Sequence, residues 1–413
     1  MTPPGAGAAA GTDLAGLYRD LHRHPEPPFG EVRTAGIAAG RLRGAGYDVA
    51  TGIGGTGVAG ALRNGDGPTV LLRADMDALP LLEKTGLPYA STATTTASTG
   101  GEGEGGERVP LMHACGHDMH VTCLVGAAER LAATRAGWRG TVLAVFQPAE
   151  EIAAGARAML DDGLYARFGA PDVALAQHVF PHPAGTLLLC PGQVVGATEN
   201  LEVTLFGTGA HGAQPERSVD PVVLAAAVIM RLQTIVSREV APAERAVITV
   251  ARVRAGHKEN VIPDEAALTL NVRALSEDVM RALLAAVERV VHAEAAASGA
   301  PRPPRIRPVS AYPILRNDPD ATARLDEAFT RRFGAGRVAA LAPMLGGEDF
   351  GLFGAAAGAP SVFWGLGAAD PARLAEGAVP GNHSPGFAPA VEPTLSTGVE
   401  ALATAALAFL RTP

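Results

Sequence analysis

The sequence predicts an α/β fold in which a mixed, mostly parallel sheet flanked by helices carries an inserted ferredoxin-like α+β domain. The chain has 413 residues, which is more than a single hydrophobic core usually supports. Helical and strand patterns alternate through its first half, as they do in βα units. A central stretch has the order β-α-β-β-α-β of the split ferredoxin-like unit. We therefore predict a first domain in two parts, residues 1–196 and 311–413, and an insert over residues 197–310.

The elements of the first domain follow from hydrophobic periodicity. Amphipathic patterns predict helices over Asp13–His22 and Glu31–Ala45. Short apolar runs then predict buried strands at Thr69–Leu72, Thr141–Phe146 and Asp172–Ala176. Helices are predicted at Val121–Ala133, Ala153–Leu160 and Thr322–Phe333, and SVFWGLG predicts a last strand. Strands that alternate with helices in this way favour a parallel sheet covered on its faces.

The insert is predicted from six successive patterns. Alternation of apolar and polar residues predicts strands at LEVTLFG, AVITVARVRAG, EAALTLNVRAL and PRIRPVSAYP. Helical periodicity predicts two long helices, PVVLAAAVIMRLQTIVSRE and SEDVMRALLAAVERVVHAEAAAS. In chain order these patterns form the β-α-β-β-α-β unit.

Two glycine-rich stretches are interpreted as a turn and a loop. GIGGTGVAG, residues 52–60, has the glycine spacing of a dinucleotide fingerprint, but that fingerprint requires a helix after it. The residues that follow alternate like a strand, so we predict a tight turn between antiparallel strands. The segment Thr94–Glu107 is rich in Gly, Ser, Thr and Glu and is interpreted as a mobile surface loop.

The composition excludes several classes of protein. A hydrophobic content of 47% with 18% charged residues is not that of a disordered or fibrous chain. The formal charge of −8 is spread along the chain without a basic block, which argues against nucleic acid as a partner. No uninterrupted apolar run approaches the ~20 residues that span a bilayer, and the N-terminus lacks a signal pattern, so no membrane is expected. Three irregularly spaced cysteines fit a reducing compartment, and we expect a cytoplasmic protein.

Five polar clusters follow predicted strands or precede a predicted helix. They are RADMDALP, MHACGHDMH, FQPAEE, AQHVFP and GNHSP. In an open α/β sheet ligands bind beyond the carboxyl ends of the strands, so these clusters are expected to converge. A lone histidine such as His178 is more often a structural residue, and adjacent glutamates are usually a solvated face. The combination of a Cys-x-His pair, paired glutamates and two isolated histidines is typical of a metal site.

The residue types indicate which ions the site would hold. Thiolate, imidazole and carboxylate together suit borderline divalent ions such as Zn²⁺, Mn²⁺, Co²⁺ or Ni²⁺. The five candidate ligands, more than one tetrahedral ion needs, are Cys115, His117, Glu151, His178 and His383. We therefore expect two ions that share a bridging water or hydroxide. Glu150 is then free to act as general base on that water, and Asp75 and Asp77 are candidates to orient ligand imidazoles.

A thiol enzyme is the main alternative from the residues alone. Cys115 could be a nucleophile with His113 or His117 as its base. That interpretation leaves the paired glutamates and the distant histidines without a role. Cys123 and Cys190 are interpreted as small buried hydrophobes.

The motifs together resemble the aminoacylase/carboxypeptidase metallopeptidase family, in the branch of hippurate hydrolases, bacterial N-acyl-amino-acid amidohydrolases and auxin-conjugate hydrolases. The resemblance covers DLHRHPEPPFGE, RADMDALP, MHACGHDMH, QPAEE, HVFP, GAHGAQPERSVDPV, NVIPDEA, GGEDF and NHSP, in family order. It implies that Cys115, His117, Glu151, His178 and His383 bind the metals and that Glu150 is the base. It also implies that His211 enters the partner subunit's site and contacts the oxyanion, and that Asn260 and Arg273 hold a substrate carboxylate.

The expected function is metal-dependent hydrolysis of N-acyl-amino acids to a carboxylic acid and a free amino acid. A bridging water, deprotonated to hydroxide by Glu150, would attack the amide carbonyl. The insert is expected to close over the site as a lid and to carry the contact of a homodimer. A dipeptidase, a hydrolase of another small amide, a thiol enzyme and a metal-binding protein without catalysis remain as alternatives.

Overall fold

The computed structural model describes residues 13–96, 108–377 and 379–412, and the structural statements below refer to these residues. The chain divides into two compact units. Unit 1 comprises residues 1–192, 317–341 and 352–413, and unit 2 comprises residues 193–316 and 342–351. The predicted insert over residues 197–310 lies within unit 2, which also takes in the segment 342–351 from later in the chain.

Helices and strands alternate through the described chain. The helices are α1 Leu14–Arg23, α2 Val32–Gly44, α3 His117–Ala133, α4 Gly155–Asp161, α5 Leu164–Phe168, α6 Pro221–Glu239, α7 Glu277–Ala297, α8 Pro319–Phe333, α9 Gly351–Ala357, α10 Pro371–Ala375 and α11 Val391–Phe409. The strands up to the end of the first part of unit 1 are β1 Asp48–Ile53, β2 Gly57–Asn64, β3 Thr69–Asp75, β4 Thr94–Thr96, β5 Arg108–Pro110, β6 Gly140–Gln147, β7 Val173–Pro183 and β8 Leu187–Leu189. The later strands are β9 Gly192–Val195, β10 Ala197–Phe206, β11 Ala210–His211, β12 Ala246–Ala255, β13 Val261–Ile262, β14 Glu265–Ala274, β15 Arg305–Tyr312, β16 Leu315–Asn317, β17 Val338–Ala340 and β18 Ser361–Ala369.

An eight-stranded sheet forms the centre of unit 1, in the order β1-β2-β6-β3-β7-β18-β8-β17. The four strands β6, β3, β7 and β18 are parallel neighbours, whereas β1 and β2 pair antiparallel at one edge. Strands β3 and β6 are buried along nearly their whole length, which requires cover on both faces of the sheet. The prediction of a mixed, mostly parallel sheet flanked by helices is confirmed.

The core of unit 1 lies between this sheet and a layer of helices. Apolar residues of α1, α2, α3, α8 and α11 pack in one buried cluster with Val58, Val70 and Leu72 of the sheet. Burying a side chain such as Leu72 stabilises the fold by roughly 1.5–3 kcal/mol relative to leaving it exposed. The layer includes α3, so the same packing fixes the position of the helix that starts in the MHACGHDMH motif.

Unit 2 has a four-stranded antiparallel sheet with the order β12-β14-β10-β15. With its two long helices this is the arrangement of the ferredoxin-like unit, as predicted. Helix α6 begins where Asp220 accepts a hydrogen bond from the Val222 amide and Pro221 fills the first turn. The buried residues of α6 and α7 form one apolar cluster with alternate residues of β10 and β14.

Helix α6 is also long and apolar enough to cross a membrane by length and composition alone. A core helix of a folded domain passes the same test. Leu224, Val228 and Leu232 on one side of α6 are buried against the sheet of unit 2. This packing accounts for the apolar character of that side without a membrane.

The two glycine-rich stretches have different outcomes. The turn at residues 54–56 connects β1 and β2, which pair antiparallel, so the predicted turn is confirmed and no nucleotide-binding helix follows it. In the second stretch Thr94–Thr96 forms β4, which pairs with β5. Residues 97–107 of that predicted loop lie outside the described residues.

Candidate metal centre

The polar clusters of unit 1 meet at the carboxyl edge of its parallel strands. Asp75 is the last residue of β3 and stands opposite Gln147, the last residue of β6. Glu150 and Glu151 form a short 3₁₀ turn just after β6, and His178 lies in β7 on the other side of β3. Parallel register therefore brings together side chains that are more than 100 positions apart.

The start of α3 contributes Cys115 and His117 from either side of a glycine. Gly116 has φ 85°, a left-handed conformation that side chains rarely adopt. A Cβ atom at this position would lie 2.3 Å from Val179 Cγ2, so only glycine fits. The glycine lets the chain turn sharply into α3 with both flanking side chains on the site.

The donor atoms of the predicted ligands lie close together. One atom each from Cys115, Glu151 and His383 fall within 4.8 Å of one another, and so do atoms of His117, Glu150 and Glu151. Cys115 Sγ is 3.3 Å from His178 Nε2. Glu151 belongs to both groups, so the donors form two adjoining sets that share one carboxylate.

In His178 and His117 the Nδ1 atom is engaged by a neighbouring oxygen, so Nε2 is the nitrogen that is available as a metal ligand. His178 Nδ1 donates to the Val179 carbonyl at 2.8 Å, which puts the lone pair on Nε2. Burial and the neighbouring His120 hold the pKa of His178 well below its usual range, so the ring is neutral. His117 Nδ1 lies 3.2 Å from Asp77 Oδ1, which likewise directs Nε2 inward. An imidazole anchored in this way is the usual form of a metal-ligating histidine.

Two atoms at this point have no hydrogen bond although they are buried. Among the residues that the structure describes, neither His117 Nε2 nor Glu151 Oε1 has a hydrogen-bond partner, and the two lie 3.9 Å apart. Burying such groups unsatisfied is costly, and a divalent cation between them removes that cost. The residues present therefore fit metal ions.

The electrostatics of the pocket also favour positive charge. The neighbouring Cys115 and Glu151 side chains raise the pKa of His383 to about 10, and Glu151 Oε1 lies 3.4 Å from His383 Nε2. Burial would raise the pKa of Glu151, but its ion pair with His383, at 3.4 Å, and the nearby His117 lower it instead. A cation at this point would meet a carboxylate that is already ionised.

His120, the third histidine of MHACGHDMH, has both ring nitrogens engaged. Its Nδ1 lies 2.6 Å from Asp75 Oδ1, and its Nε2 accepts a hydrogen bond from the Val179 amide at 2.9 Å. Its ring therefore holds Asp75 in place and is not free to bind an ion. No role was predicted for His120, because only the folded chain reveals its two partners.

Asp75 is held as a carboxylate by a buried guanidinium. Arg73 Nη1 donates to Asp75 Oδ2 at 2.7 Å, and Arg73 Nε donates to Gln147 Oε1 at 2.8 Å. Burial would raise the pKa of Asp75, but Arg73 and the histidines His117 and His120 outweigh it and hold this pKa well below its usual range. Asp75 therefore adds a negative charge beside the predicted ligand His117, whose Nε2 is 3.5 Å away.

The loop that carries His383 is fixed by backbone and amide contacts. His383 has φ 65°, and its amide donates to the Ala114 carbonyl at 2.8 Å. The side-chain amide of Asn382 donates to the Val179 carbonyl at 3.1 Å and to the Cys115 carbonyl at 3.3 Å. Asn382 thus ties the last predicted ligand to the first, a role that the motif GNHSP does not reveal by itself.

A second buried network lies behind α3. His22 Nδ1 is 2.7 Å from Asp118 Oδ2, and His22 Nε2 is 3.1 Å from Glu83 Oε1, with all three side chains almost fully buried. Burial would lower the pKa of His22, but the hydrogen bonds with Asp118 and Glu83 raise it to about 10. A charged His22 therefore anchors the residue that follows His117.

This network predicts a pH-dependent stability. Because the pKa of His22 rises from about 6.5 in the unfolded chain to about 10 in the folded one, its contribution is complete below pH ~6.5 and lost as pH rises through ~10. Compared with wild type, His22→Gln should be less stable by several kcal/mol near pH 6, and the difference should narrow towards pH 10. Urea denaturation of both proteins across this range measures it. A difference that stays constant with pH would contradict a charged His22.

The three predicted substrate-contacting residues lie in unit 2. His211 in β11 pairs with Val261 in β13, next to Asn260, so the two loops that carry His211 and Asn260 are adjacent. Both residues are exposed. His211 Nδ1 accepts a hydrogen bond from the Ala213 amide at 3.0 Å, which leaves Nε2 as a donor.

Arg273 is held at the end of a row of polar side chains. Its Nε donates to Asn271 Oδ1 at 2.6 Å, and its Nη1 donates to the Leu345 carbonyl at 2.6 Å. Asn271 in turn donates to Asn200 at 2.7 Å. Half-buried and fixed in this way, the guanidinium retains N–H groups that could meet a carboxylate.

Comparisons with known proteins agree with this geometry. Residues 71–408 match the profile of "Peptidase family M20/M25/M40". The chain is 35% identical to the hippurate hydrolase of Campylobacter jejuni over 83% of this chain and 86% of that protein. It is 35% identical to N-acetylcysteine deacetylase of Bacillus subtilis over 83% of this chain and 85% of that protein. The solved structure of the Bacillus subtilis YXEP protein, described as a dinuclear metal binding peptidase, superposes with a TM-score of 0.73 at 31% identity over 96% of this chain and 97% of that one.

Proposed function

Because the chain belongs to peptidase family M20/M25/M40, we propose that its metal centre hydrolyses the amide bond of N-acyl-amino acids. The products are a carboxylic acid and a free amino acid. The observation that carries the proposal is the convergence of the five predicted ligand side chains beside the buried Glu150, which is not one of them. The names of the two bacterial relatives, a hippurate hydrolase and an N-acetylcysteine deacetylase, support this substrate class.

Cys115, His117, Glu151, His178 and His383 would hold two divalent ions. Thiolate, imidazole and carboxylate donors support Zn²⁺, Mn²⁺, Co²⁺ or Ni²⁺ as their identity. When bound, such ions polarise the amide carbonyl and lower the pKa of the attacking water. The dinuclear relative from Bacillus subtilis supports a pair of ions.

Glu150 moves the proton in this proposal. A carboxylate oxygen of Glu150 lies within 4.8 Å of the donor atoms of His117 and Glu151. A water molecule held by ions at those ligands would therefore be within reach of Glu150. Glu150 accepts a proton from the attacking water and returns it to the nitrogen of the leaving amine. Asp77 orients His117 through its Nδ1, and Asp75 keeps the surroundings of that ring negative.

Recognition of the substrate is assigned to unit 2. Arg273 and Asn260 bind the carboxylate of the amino-acid part, and His211 donates to the oxyanion in the partner subunit's site. Unit 2 acts as the lid and carries the homodimer contact. An unpaired outer edge on β12 and the exposed apolar residues Val253, Val223 and Met230 support this role.

Arg273→Gln tests the carboxylate assignment. The variant should raise KM for an N-acyl-amino acid about 10- to 100-fold, because a charge-assisted pair to the carboxylate is lost. The carboxamide of the same substrate should be cleaved equally by the variant and the wild type. Steady-state kinetics on this substrate pair measures the effect. An equal KM increase for both substrates would contradict the assignment.

The proposed activity is tested by a substrate screen on metal-reconstituted protein. Hippurate-like and N-acetyl amino acids should be hydrolysed in preference to dipeptides. Faster cleavage of dipeptides would make the protein a dipeptidase of the same family. Full metal occupancy without turnover would favour a metal-binding protein. Sensitivity to iodoacetamide that survives complete chelation would favour the thiol enzyme.

The free, buried thiols of Cys115, Cys123 and Cys190 support a cytoplasmic location.

A further inference from the structure

The turn that carries Glu150 and Glu151 has an unusual backbone. Ala149, directly before Glu150, has φ 48° and ψ 43°, and Ala153, two residues after Glu151, has φ 56°. Left-handed conformations are uncommon for residues other than glycine and persist only where the surroundings enforce them. The turn is therefore held in place by contacts from other parts of unit 1.

Two buried carboxyl groups accept hydrogen bonds from the backbone amides of the residues on either side of Glu150. The Glu151 amide donates to Asp77 Oδ2 at 2.9 Å, and the Ala149 amide donates to Glu31 Oε1 at 2.9 Å. Asp77 also contacts Nδ1 of the proposed ligand His117 through its other oxygen. Within the described residues, the hydrogen bonds of the Glu31 side chain go to Phe29, Thr56 and Ala149, none of which is a predicted ligand. Neither metal binding nor the proposed reaction explains why a fully buried glutamate stands there.

Glu31 is itself fixed by two further donors. The same Oε1 atom accepts a hydrogen bond from the Phe29 amide at 3.0 Å, and Oε2 accepts one from the Thr56 hydroxyl. Phe29, like Ala149, has a positive φ. Thr56 belongs to the glycine-rich turn between β1 and β2. Glu31 therefore joins three segments that are far apart in the sequence.

The glycine-rich turn also packs directly on the helix after the Glu150 turn. A Cβ atom on Gly54 would lie 2.5 Å from the backbone of Ala158 and Met159 in α4, and one on Gly57 would lie 2.8 Å from the Met159 side chain. The glycines that resemble a nucleotide fingerprint thus allow this close approach and place Thr56 against Glu31.

We infer that Glu31 is a positioning residue for the general base: it fixes the left-handed conformation of Ala149 and thereby aims Glu150. The inference rests on the proposed role of Glu150. It assigns a function to the Glu-Pro-rich segment before α2 and to the glycine-rich turn, neither of which contributes an atom to the metal site.

The test compares Glu31 with Glu26, a matched carboxylate in the same segment. Glu26 also accepts two backbone amides, those of Arg33 and Thr34 at the start of α2, each at 2.8 Å. Glu31→Ala should lower kcat about 100-fold with KM and metal content close to wild type, because a small misplacement of a catalytic group is that costly. Glu26→Ala should leave kcat within about threefold of wild type.

Glu31→Gln provides the rescue. Its amide oxygen can accept the Ala149 and Phe29 amides while its NH₂ group donates to Thr56, so kcat should return to within about tenfold of wild type. Glu31→Asp keeps the carboxyl group but is one methylene shorter, and it should behave like the alanine variant. The aspartate variant replaces Glu31→Ala if the latter does not fold.

Amide hydrogen exchange gives a readout that does not depend on turnover. Exchange in a peptide covering residues 147–155 should accelerate in Glu31→Ala, and exchange in one covering residues 32–44 should accelerate in Glu26→Ala, with or without metal. Wild-type kcat and unchanged exchange in residues 147–155 of Glu31→Ala would overturn the inference. A wild-type protein inert towards N-acyl-amino acids would instead refute the proposed function, and the exchange comparison would still decide the role of Glu31.

Discussion

Glu150→Gln is expected to bind two metal ions per chain and to lose about 1,000-fold or more of kcat, which is within the range for removal of a general acid–base. Glutamine has the shape of glutamate but cannot accept a proton from water. Glu150 is not one of the five proposed ligands, so the ions should remain. Single-turnover kinetics together with elemental analysis of the metal measures both quantities.

The adjacent residue supplies the contrast for this experiment. Glu151 belongs to both donor groups, and one of its oxygens has no hydrogen bond within the described part of the chain. Glu151→Gln should therefore lose metal as well as activity. Metal loss in Glu150→Gln, or wild-type turnover in that variant, would remove Glu150 from the role of base.

Cys115→Ala is expected to abolish activity by lowering metal affinity at least 100-fold, since changes even in groups that only orient ligands cost 10- to 100-fold. The thiol lies among His178, Glu151 and His383, where alanine offers no donor atom. Isothermal titration of metal into the stripped protein measures the affinity.

Cys123→Ala is the matched control, at a cysteine inside α3, the helix that follows Cys115. Cys123 is fully buried, and burial raises the pKa of its thiol, so it stays a neutral packing residue. Its removal should cost stability but leave metal affinity and kcat unchanged. If Cys115→Ala lost activity with both ions still bound, the thiol would be a nucleophile and the ions would be incidental.

Periodicity was sufficient for most elements of the fold. Helix α6 begins and ends where the pattern predicted, because a proline and an N-cap aspartate mark its start. Helix α3 begins at His117, four residues before the predicted Val121, because the histidines and Asp118 of its first turn are buried although they are polar. A hydrophobic pattern cannot recognise polar residues that are buried by mutual hydrogen bonds.

The candidate site was predictable to the extent that it depends on strand ends. The parallel register of β3, β6 and β7 brings the clusters together. A mostly parallel sheet was predicted, and in such a sheet ligands bind beyond the carboxyl ends of the strands. The contacts of His120, Asn382 and Glu31 were not predictable, because each depends on a backbone amide or carbonyl from a distant segment. The grouping of residues 342–351 with unit 2 likewise depends on long-range contacts.

The central claim is that side chains from separate strand ends cage two divalent cations. Anomalous scattering from crystals of the metal-loaded protein tests it most directly. Two peaks enclosed by Cys115, His117, Glu151, His178 and His383 are the predicted result. Peaks elsewhere in the molecule, or fully loaded crystals with no peak among these five residues, would contradict the account.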